Sequence, residues 1–271
     1  AGVVVFVMVK PSGNTTVLCE RVDSDTACTV EHASIPCEVV RGRPLHENEL
    51  HATIDDNNGD ACNQKDSSPA AFPGKQVYLA LIVSMFLHAN LLHIGGNMLF
   101  FWVFGNNVED RMGPWRFGAF YLVGGIVASL GHILADPNSS VPVVGASGAI
   151  AAGMGDYLVL YPRSRVPRLI IIVPPIVFFR PLRAWMLLGF WFLSQFIVDP
   201  GAQVAWVAHV IGLPLGVLIA VLIRLGRRVG RQREPAHLQA GTGDATDGAI
   251  AAGPGPTGTL TARVTPRTPA P

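Results

Sequence analysis

Charged side chains are scarce in this chain. Asp, Glu, Lys and Arg make up 14% of its 271 residues, and the formal net charge is +1. A soluble domain carries about 25% charged residues, so an ordinary globular protein wetted on every side is excluded. The net charge itself says nothing about nucleic acid, whose binding depends on how basic residues are distributed; no nucleic-acid partner is expected. Cysteine is limited to Cys19, Cys28, Cys37 and Cys62, all in one polar segment and none in an apolar run. The tight Cys-x-x-Cys spacing of small zinc modules is absent. Two disulfides with three possible connectivities fit that pattern, and a zinc site using His32, His46 or His51 is the alternative. Heptads and convincing repeats are missing, which removes coiled coils and solenoids. Large apolar residues nearly vanish after Arg233, where Gly, Pro, Thr and Ala dominate. Such a tail cannot bury a core and is expected to be disordered.

Long apolar runs are what the chain does have, and its mean hydropathy is +0.38. They predict an all-α, polytopic membrane helix bundle. Residues 1–9 are apolar but too short to span, and read as the end of a first transmembrane helix rather than a signal peptide. Residues 10–76 hold eleven acids and six bases with little helical periodicity. Cytoplasmic loops collect Lys and Arg, so this acidic, cysteine-bearing loop is expected outside. Val77–Phe104 is interrupted at His88-Ala89-Asn90; the part before the break should lie along the outer interface, and Leu91–Val108 should span. Trp115–Leu134 returns outward, and a polar loop leads to an apolar helix over Ser147–Tyr161. Leu169–Phe179 carries Pro174-Pro175 and is flanked by arginines at both ends, so it should dip into the inner interface and return. Ala184–Val198 and Val204–Ile223 are the remaining spans. Every basic cluster then falls on one side, with residues 227–271 as a disordered cytoplasmic tail and residues 77–226 as the membrane core. The protein is expected to be a multi-pass plasma-membrane protein.

Polar groups inside spans are costly and mark function or partnering. Depth can be counted from the inner charged ends: His93 lies 16 positions before Glu109, Ser147 16 before Arg163, and His209 15 before Arg224. At the helical rise all three sit about 22–24 Å from the inner boundary. Asn97 shares the face of His93 one turn deeper. Gly95 and Gly96 should permit close helix approach, as should Gly145 and Gly148 around the serine. A face of Ser147, Ala151 and Gly155 suits one of His209, Gly212 and Gly216, which would bring the His209 ring within reach of the Ser147 hydroxyl. Taken singly, each residue has an ordinary reading: Ser147 as a helix N-cap, His209 as a hydrogen-bonded packing residue, His93 and Asn97 as a tie between helices. His88 reads as an interfacial residue setting the turn, His132 ranks below His209 as a base, and Asp156 and Ser194-Gln195 read as packing or interfacial groups. No apolar run carries the midplane charges that would line a transport path.

With His93-x-x-x-Asn97, Gly145-Ala-Ser147-Gly148 and Ala208-His209-Val-Ile-Gly212 in spans and in this order, the chain resembles the rhomboid intramembrane serine proteases, in their bacterial six-span form with the first span largely missing. The resemblance covers roughly Val77 to Ile223. It implies a rhomboid-like bundle and a Ser–His dyad. Ser147 would be the nucleophile and His209 the general base, with an oxyanion hole from the His93 and Asn97 side chains and the Ser147 backbone N–H. It implies no metal and no cofactor; the partners are the lipid bilayer and membrane-protein substrates cut in or near a transmembrane segment, with small or helix-destabilising residues at the scissile point. Inactive relatives that bind or escort membrane proteins are the alternative. Three departures stand out. Ala151 occupies the position where some members place a tyrosine against the catalytic histidine, leaving Trp206 as a loose candidate for orienting His209. The outer-loop Trp-Arg pair of several members is absent, Trp115-Arg116 lying on the inner side. The cysteine-bearing loop is unusually elaborate.

Overall fold

A computed structural model describes residues 8–9, 25–63, 67–166, 172–173, 176–177, 182–197 and 205–233. The chain divides into one compact unit, Ala1–Leu225, and a second, Gly226–Pro271, of which only the end of the last helix lies among the described residues. At the start, β1 (Met8–Val9) pairs in parallel with β2 (Leu87–His88). These two residues are therefore extended rather than the helical end of a span.

The acidic, cysteine-bearing segment is folded, where the sequence pattern suggests only a loop. It forms α1 (Asp25–His32), α2 (Pro36–Arg41) and α3 (Glu47–Ile54). Its helices are too short to show periodicity, so other forces hold them. Val30, Ile35, Cys37, Leu45 and Cys62 make a small apolar cluster. The Cys37–Cys62 disulfide closes it across 25 residues, which takes both sulfurs out of any zinc site; the side chains of Cys19 and Cys28 lie outside the described residues. Buried carboxylates are each paired. Lys75 Nζ lies 2.5 Å from Glu38 Oε2 and donates to Val30 O at 2.6 Å. Arg43 forks onto Glu49 at 2.7 and 2.6 Å, and the His46 N–H donates to the same carboxylate. Burial pushes Glu38 above the ordinary carboxylate value and Lys75 below the ordinary amine value, against their mutual attraction. Burial acts the same way on Glu49, but the Arg43 fork and the His46 N–H outweigh it and hold Glu49 below its ordinary 4.5.

Two outcomes follow for this subdomain. Glu49 is depressed when folded, so its stabilisation is complete above pH 4.5 and drains away as pH falls through the lower folded value. Hydrogen exchange across residues 29–63 should accelerate below that pH, and Glu49→Gln should flatten the response. Replacing Cys37 and Cys62 together by serine should destabilise the subdomain by about 3 kcal/mol, through the freed chain entropy of the unfolded state. Proteolysis of the loop at fixed urea would measure it, and unchanged resistance would remove the disulfide from the account.

The membrane part begins with α4 (Ala80–Val83) and a 3-10 turn, Ser84–Phe86. Ser84 and Met85 are buried, so this segment is wedged into the bundle instead of lying flat on it. After the expected break, α5 (Leu91–Phe100) continues through a π turn, Phe101–Gly105, into α6 (Asn106–Met112). Gly113 at φ +83° turns the chain into α7 (Pro114–Ala135). Next come α8 (Ser147–Leu160) and β3 (Arg165–Val166); β4 (Ile172–Val173) pairs antiparallel with β5 (Ile176–Val177), and β6 (Leu182–Arg183) pairs with β3. The segment thus leaves and returns at one place, as expected of a stretch that does not cross. Finally, α9 (Ala184–Ser194) ends in a 3-10 turn, Gln195–Ile197, and α10 (Trp206–Arg233) closes the fold.

Pro114–Ala135 and Trp206–Gly226 are long and apolar enough to cross a bilayer, and α8 and α9 are shorter apolar helices. Leu122, Val127, Leu134, Leu193, Leu218 and Leu222 face outward, as lipid-facing residues do. Inside, an aromatic cluster packs the bundle: Phe101 sits edge-on to Tyr121 at 5.7 Å, and Phe104 to Tyr157 at 5.1 Å. The last helix runs to Arg233, into the stretch 227–271 expected to lack order. Arg, Leu and Gln are good helix formers, so the helix is free to extend past its apolar part.

Candidate active site

Ser147 is the first residue of α8, and the N-cap position belongs to Ala146. Its hydroxyl makes no capping bond, so the ordinary capping role is not what it performs. The loop before it is held from two directions. The outer subdomain grips Asp136–Val143: the Cys37 N–H donates to Ser139 O at 3.0 Å and the Val143 N–H to Ser34 O at 2.8 Å, while Thr53 Oγ1 donates to Ser140 Oγ at 2.7 Å. From within the bundle, Ser84 O accepts the Gly145 N–H at 2.9 Å. The cysteine-bearing segment therefore braces the loop that delivers the serine.

Gly145 was expected to serve helix packing. It sits instead in the loop at φ +116°, a conformation that side chains resist. A Cβ there would stand 2.8 Å from His93 Cε1, 2.9 Å from His93 Nε2 and 3.6 Å from Asn97 Nδ2. The missing side chain is what lets the His93 and Asn97 groups come up against the serine loop. Asn90 caps α5, its Oδ1 accepting the His93 N–H at 2.8 Å. His93 Nδ1 accepts the Ala89 N–H at 3.4 Å, so the ring proton belongs on Nε2, the nitrogen beside Gly145. Asn97 is 7% exposed, yet its Nδ2 has no hydrogen-bond partner among the described residues. A buried amide donor without an acceptor is uncommon and calls for a reason. His88 is buried, its ring packed edge-on to His93 at 5.2 Å.

Helix α10 approaches from the other end of the Gly145–Gly148 stretch. A Cβ on Gly148 would lie 2.8 Å from Ala128 Cβ of α7 and 3.6 Å from Ala208 Cβ. One on Gly212 would meet Gly148 O at 2.5 Å, and one on Gly216 would overlap the Ala152 carbonyl. The expected small-residue contact between α8 and α10 is thus present, with Gly148 and Ala152 taking part and Ser147 left free at its edge. Gly95 and Gly96 make no such contact; a Cβ on either meets nothing within 4 Å.

His209 is 8% exposed. Its Nδ1 is hydrogen-bonded to Gln195 Oε1 at 2.7 Å, and its ring lies 5.4 Å from that of Trp191. Trp206 packs against Phe196 instead. Both holding residues come from α9 and its terminal turn; from the sequence Gln195 reads as a packing or interfacial group, and Trp191 is not singled out. The available signal was a lone amide near the outer end of an otherwise apolar span. His209 Nε2 has no hydrogen-bond partner among the described residues, so no hydrogen bond joins it to Ser147 Oγ. Beside the serine is a cavity of about 10 Å³, bordered by Met85, Ser129, Val144, Ala149 and Ala208, close to the lower limit for one water molecule.

Short apolar helices, outward apolar faces and buried polar groups gathered at the head of α8 define a membrane helix bundle with a candidate chemical site. The rhomboid domain model matches residues 75–226, more than half of the chain. The chain belongs to the rhomboid family, whose members are integral membrane proteins. Among its relatives is the mitochondrial rhomboid protein 1 of Saccharomyces cerevisiae, 29% identical over 165 residues, which are 57% of this chain and 44% of the relative. Another is the rhomboid protease GlpG of Yersinia pestis, 32% identical over 135 residues, 50% of this chain and 44% of the relative. The chain spans less than half the length of these curated relatives.

Proposed function

We propose that this protein is an intramembrane serine endopeptidase that cuts membrane proteins in or near a transmembrane segment. Ser147 Oγ attacks the scissile carbonyl while His209 Nε2 takes its proton, because a serine hydroxyl is too weak without a base. The charge that develops on the carbonyl oxygen is received by Asn97 Nδ2–H, His93 Nε2–H and the Ser147 N–H, which the first turn of α8 leaves without an intrahelical acceptor. His209 then returns the proton to the leaving amine, and water repeats the sequence on the acyl-enzyme. The reaction uses no metal and no cofactor. The site cavity is too small for a peptide, so substrate entry requires neighbouring groups to move. The scissile segment must also unwind to expose its carbonyl, which favours small or helix-destabilising residues there.

The observation that carries this reading is the buried Asn97 amide, unpartnered and pressed with His93 Nε2 against the loop that ends in Ser147. The likeness to a relative named a protease supports it. We place the Cys37–Cys62 subdomain outside the membrane and the basic end of α10 in the cytoplasm, with residues 75–226 as the catalytic core. A second reading, a catalytically silent protein that binds or escorts membrane proteins, is favoured by one feature: the absent hydrogen bond between Ser147 and His209. A fluorophosphonate probe separates the two. Covalent labelling of wild type that disappears in Ser147→Ala supports the protease, and no labelling of folded wild type supports the binder.

A further inference from the structure

A base that abstracts a proton through Nε2 needs its other nitrogen held, and in this family position 151, here alanine, offers nothing to do so. The grip comes from α9. At the end of that helix the Gln195 backbone N–H turns to Phe192 O and Leu193 O. This tightening releases the Trp191 carbonyl, which would otherwise accept that N–H in α-helical register. The carbonyl takes the Gln195 side chain instead, Nε2 donating to Trp191 O at 2.9 Å, with Ser194 Oγ donating to the same oxygen at 2.6 Å.

That bond settles which way the amide points. Trp191 O can only accept, so the Gln195 nitrogen must face it and Oε1 must face His209. An oxygen at 2.7 Å from His209 Nδ1 can only accept in turn. His209 therefore carries its proton on Nδ1 and presents a lone pair at Nε2, the tautomer a general base requires. Gln195 is 6% exposed and His209 8%, so water does not compete for either group. The Trp191 ring limits rotation of the imidazole from the same helix.

We infer that Gln195 is the positioning residue for His209, fixing its tautomer and ring plane through a chain of hydrogen bonds that begins at the Trp191 carbonyl. The inference rests on the proposed Ser147–His209 chemistry for its effect on rate, but not for its effect on the imidazole. It makes the arrangement a Ser–His–Gln relay in which the third member is neutral and comes from α9.

Full-length protein labelled with ¹⁵N-histidine, with the His209 signals assigned by their loss in His209→Gln, reports the tautomer directly. Wild type should show one protonated nitrogen at Nδ1 and a bare Nε2. Gln195→Leu should give a mixture of tautomers. Cleavage kinetics of a single-span reporter should show kcat down on the order of 10- to 100-fold in Gln195→Leu with KM little changed, a part of what general base catalysis contributes. Gln195→Glu, assayed at a pH where the buried carboxyl is protonated and so keeps both an acceptor oxygen for Nδ1 and a donor for Trp191 O, should restore the tautomer and recover most of the lost kcat. If Gln195→Leu retains both the wild-type tautomer and the wild-type kcat, the inference is overturned. If Gln195→Leu and Gln195→Glu lose kcat equally and with an unchanged tautomer, the residue is only structural and the inference is again overturned. Should wild type prove unable to cleave while its tautomer still depends on Gln195, the protease reading fails and the positioning role stands.

Discussion

Ser147→Ala is expected to reduce cleavage of a single-span reporter by about 10⁴- to 10⁶-fold, the scale at which nucleophile and base act as one unit in serine hydrolases. The same reasoning makes His209→Ala nearly as severe, and the double variant no worse than either alone. Oxygen nucleophiles at neutral pH depend on a base, and a base with no nucleophile has nothing to activate. Asn97→Ala belongs to a different class. It would leave the proposed dyad in place and remove one proposed donor to charge that exists only in the transition state, so kcat should fall by about 10²–10³. KM should barely change. Purified variants in bilayers, assayed for kcat and KM separately, would test all three. Wild-type turnover by Ser147→Ala would end the serine-protease assignment, and an unaltered kcat in Asn97→Ala would take that amide out of the site.

The second large effect is on stability. Gly216→Ala should destabilise the bundle by about 3 kcal/mol or more, because the added methyl would occupy the space of a backbone oxygen rather than of a side chain that can rotate away. Ala152 O is the atom it meets, and α8 cannot withdraw without lifting Ser147 from its neighbours. Gly155 makes the reciprocal contact, against Leu213 O. The comparison variant is Gly153→Ala on the same helix, where a Cβ meets nothing within 4 Å. It should be neutral or stabilising by up to about 1 kcal/mol, since alanine is the better helix former. Thermal inactivation in detergent should rank Gly216→Ala well below wild type and Gly153→Ala at or above it. Equal inactivation temperatures for the two glycine variants would show that the α8–α10 contact is looser than described.

Glycine spacing made that contact legible in the sequence, yet spacing could not tell which glycines use it. Gly95-Gly96 and Gly212-x-x-x-Gly216 both suggest close helix approach, but only the second pair, four residues apart on one face, meets a backbone. Gly145 was read as a packing residue because it is a small residue beside the serine, whereas its φ of +116° and the His93 ring beside it make it the opening through which α5 reaches the serine loop. The outer segment read as loop because its helices are six to eight residues long, too short for a period to register. Its stability lies in pairings between distant residues: Cys37 with Cys62, Glu38 with Lys75.

What the amino-acid order determined unaided is whatever depends on distance along one helix. Run length sets which segments can cross a membrane, and a rise per residue that hardly varies is what leads to the expectation that His93, Ser147 and His209 share one depth. What only the tertiary structure decided is rotation and partnership: that Gln195 and Trp191, not Trp206, hold the histidine, and that the cysteine-bearing segment braces the serine loop. A helix carries its own ruler, because its hydrogen bonds are local. It carries no record of which neighbour will meet each face, because that choice belongs to the packing of the whole bundle.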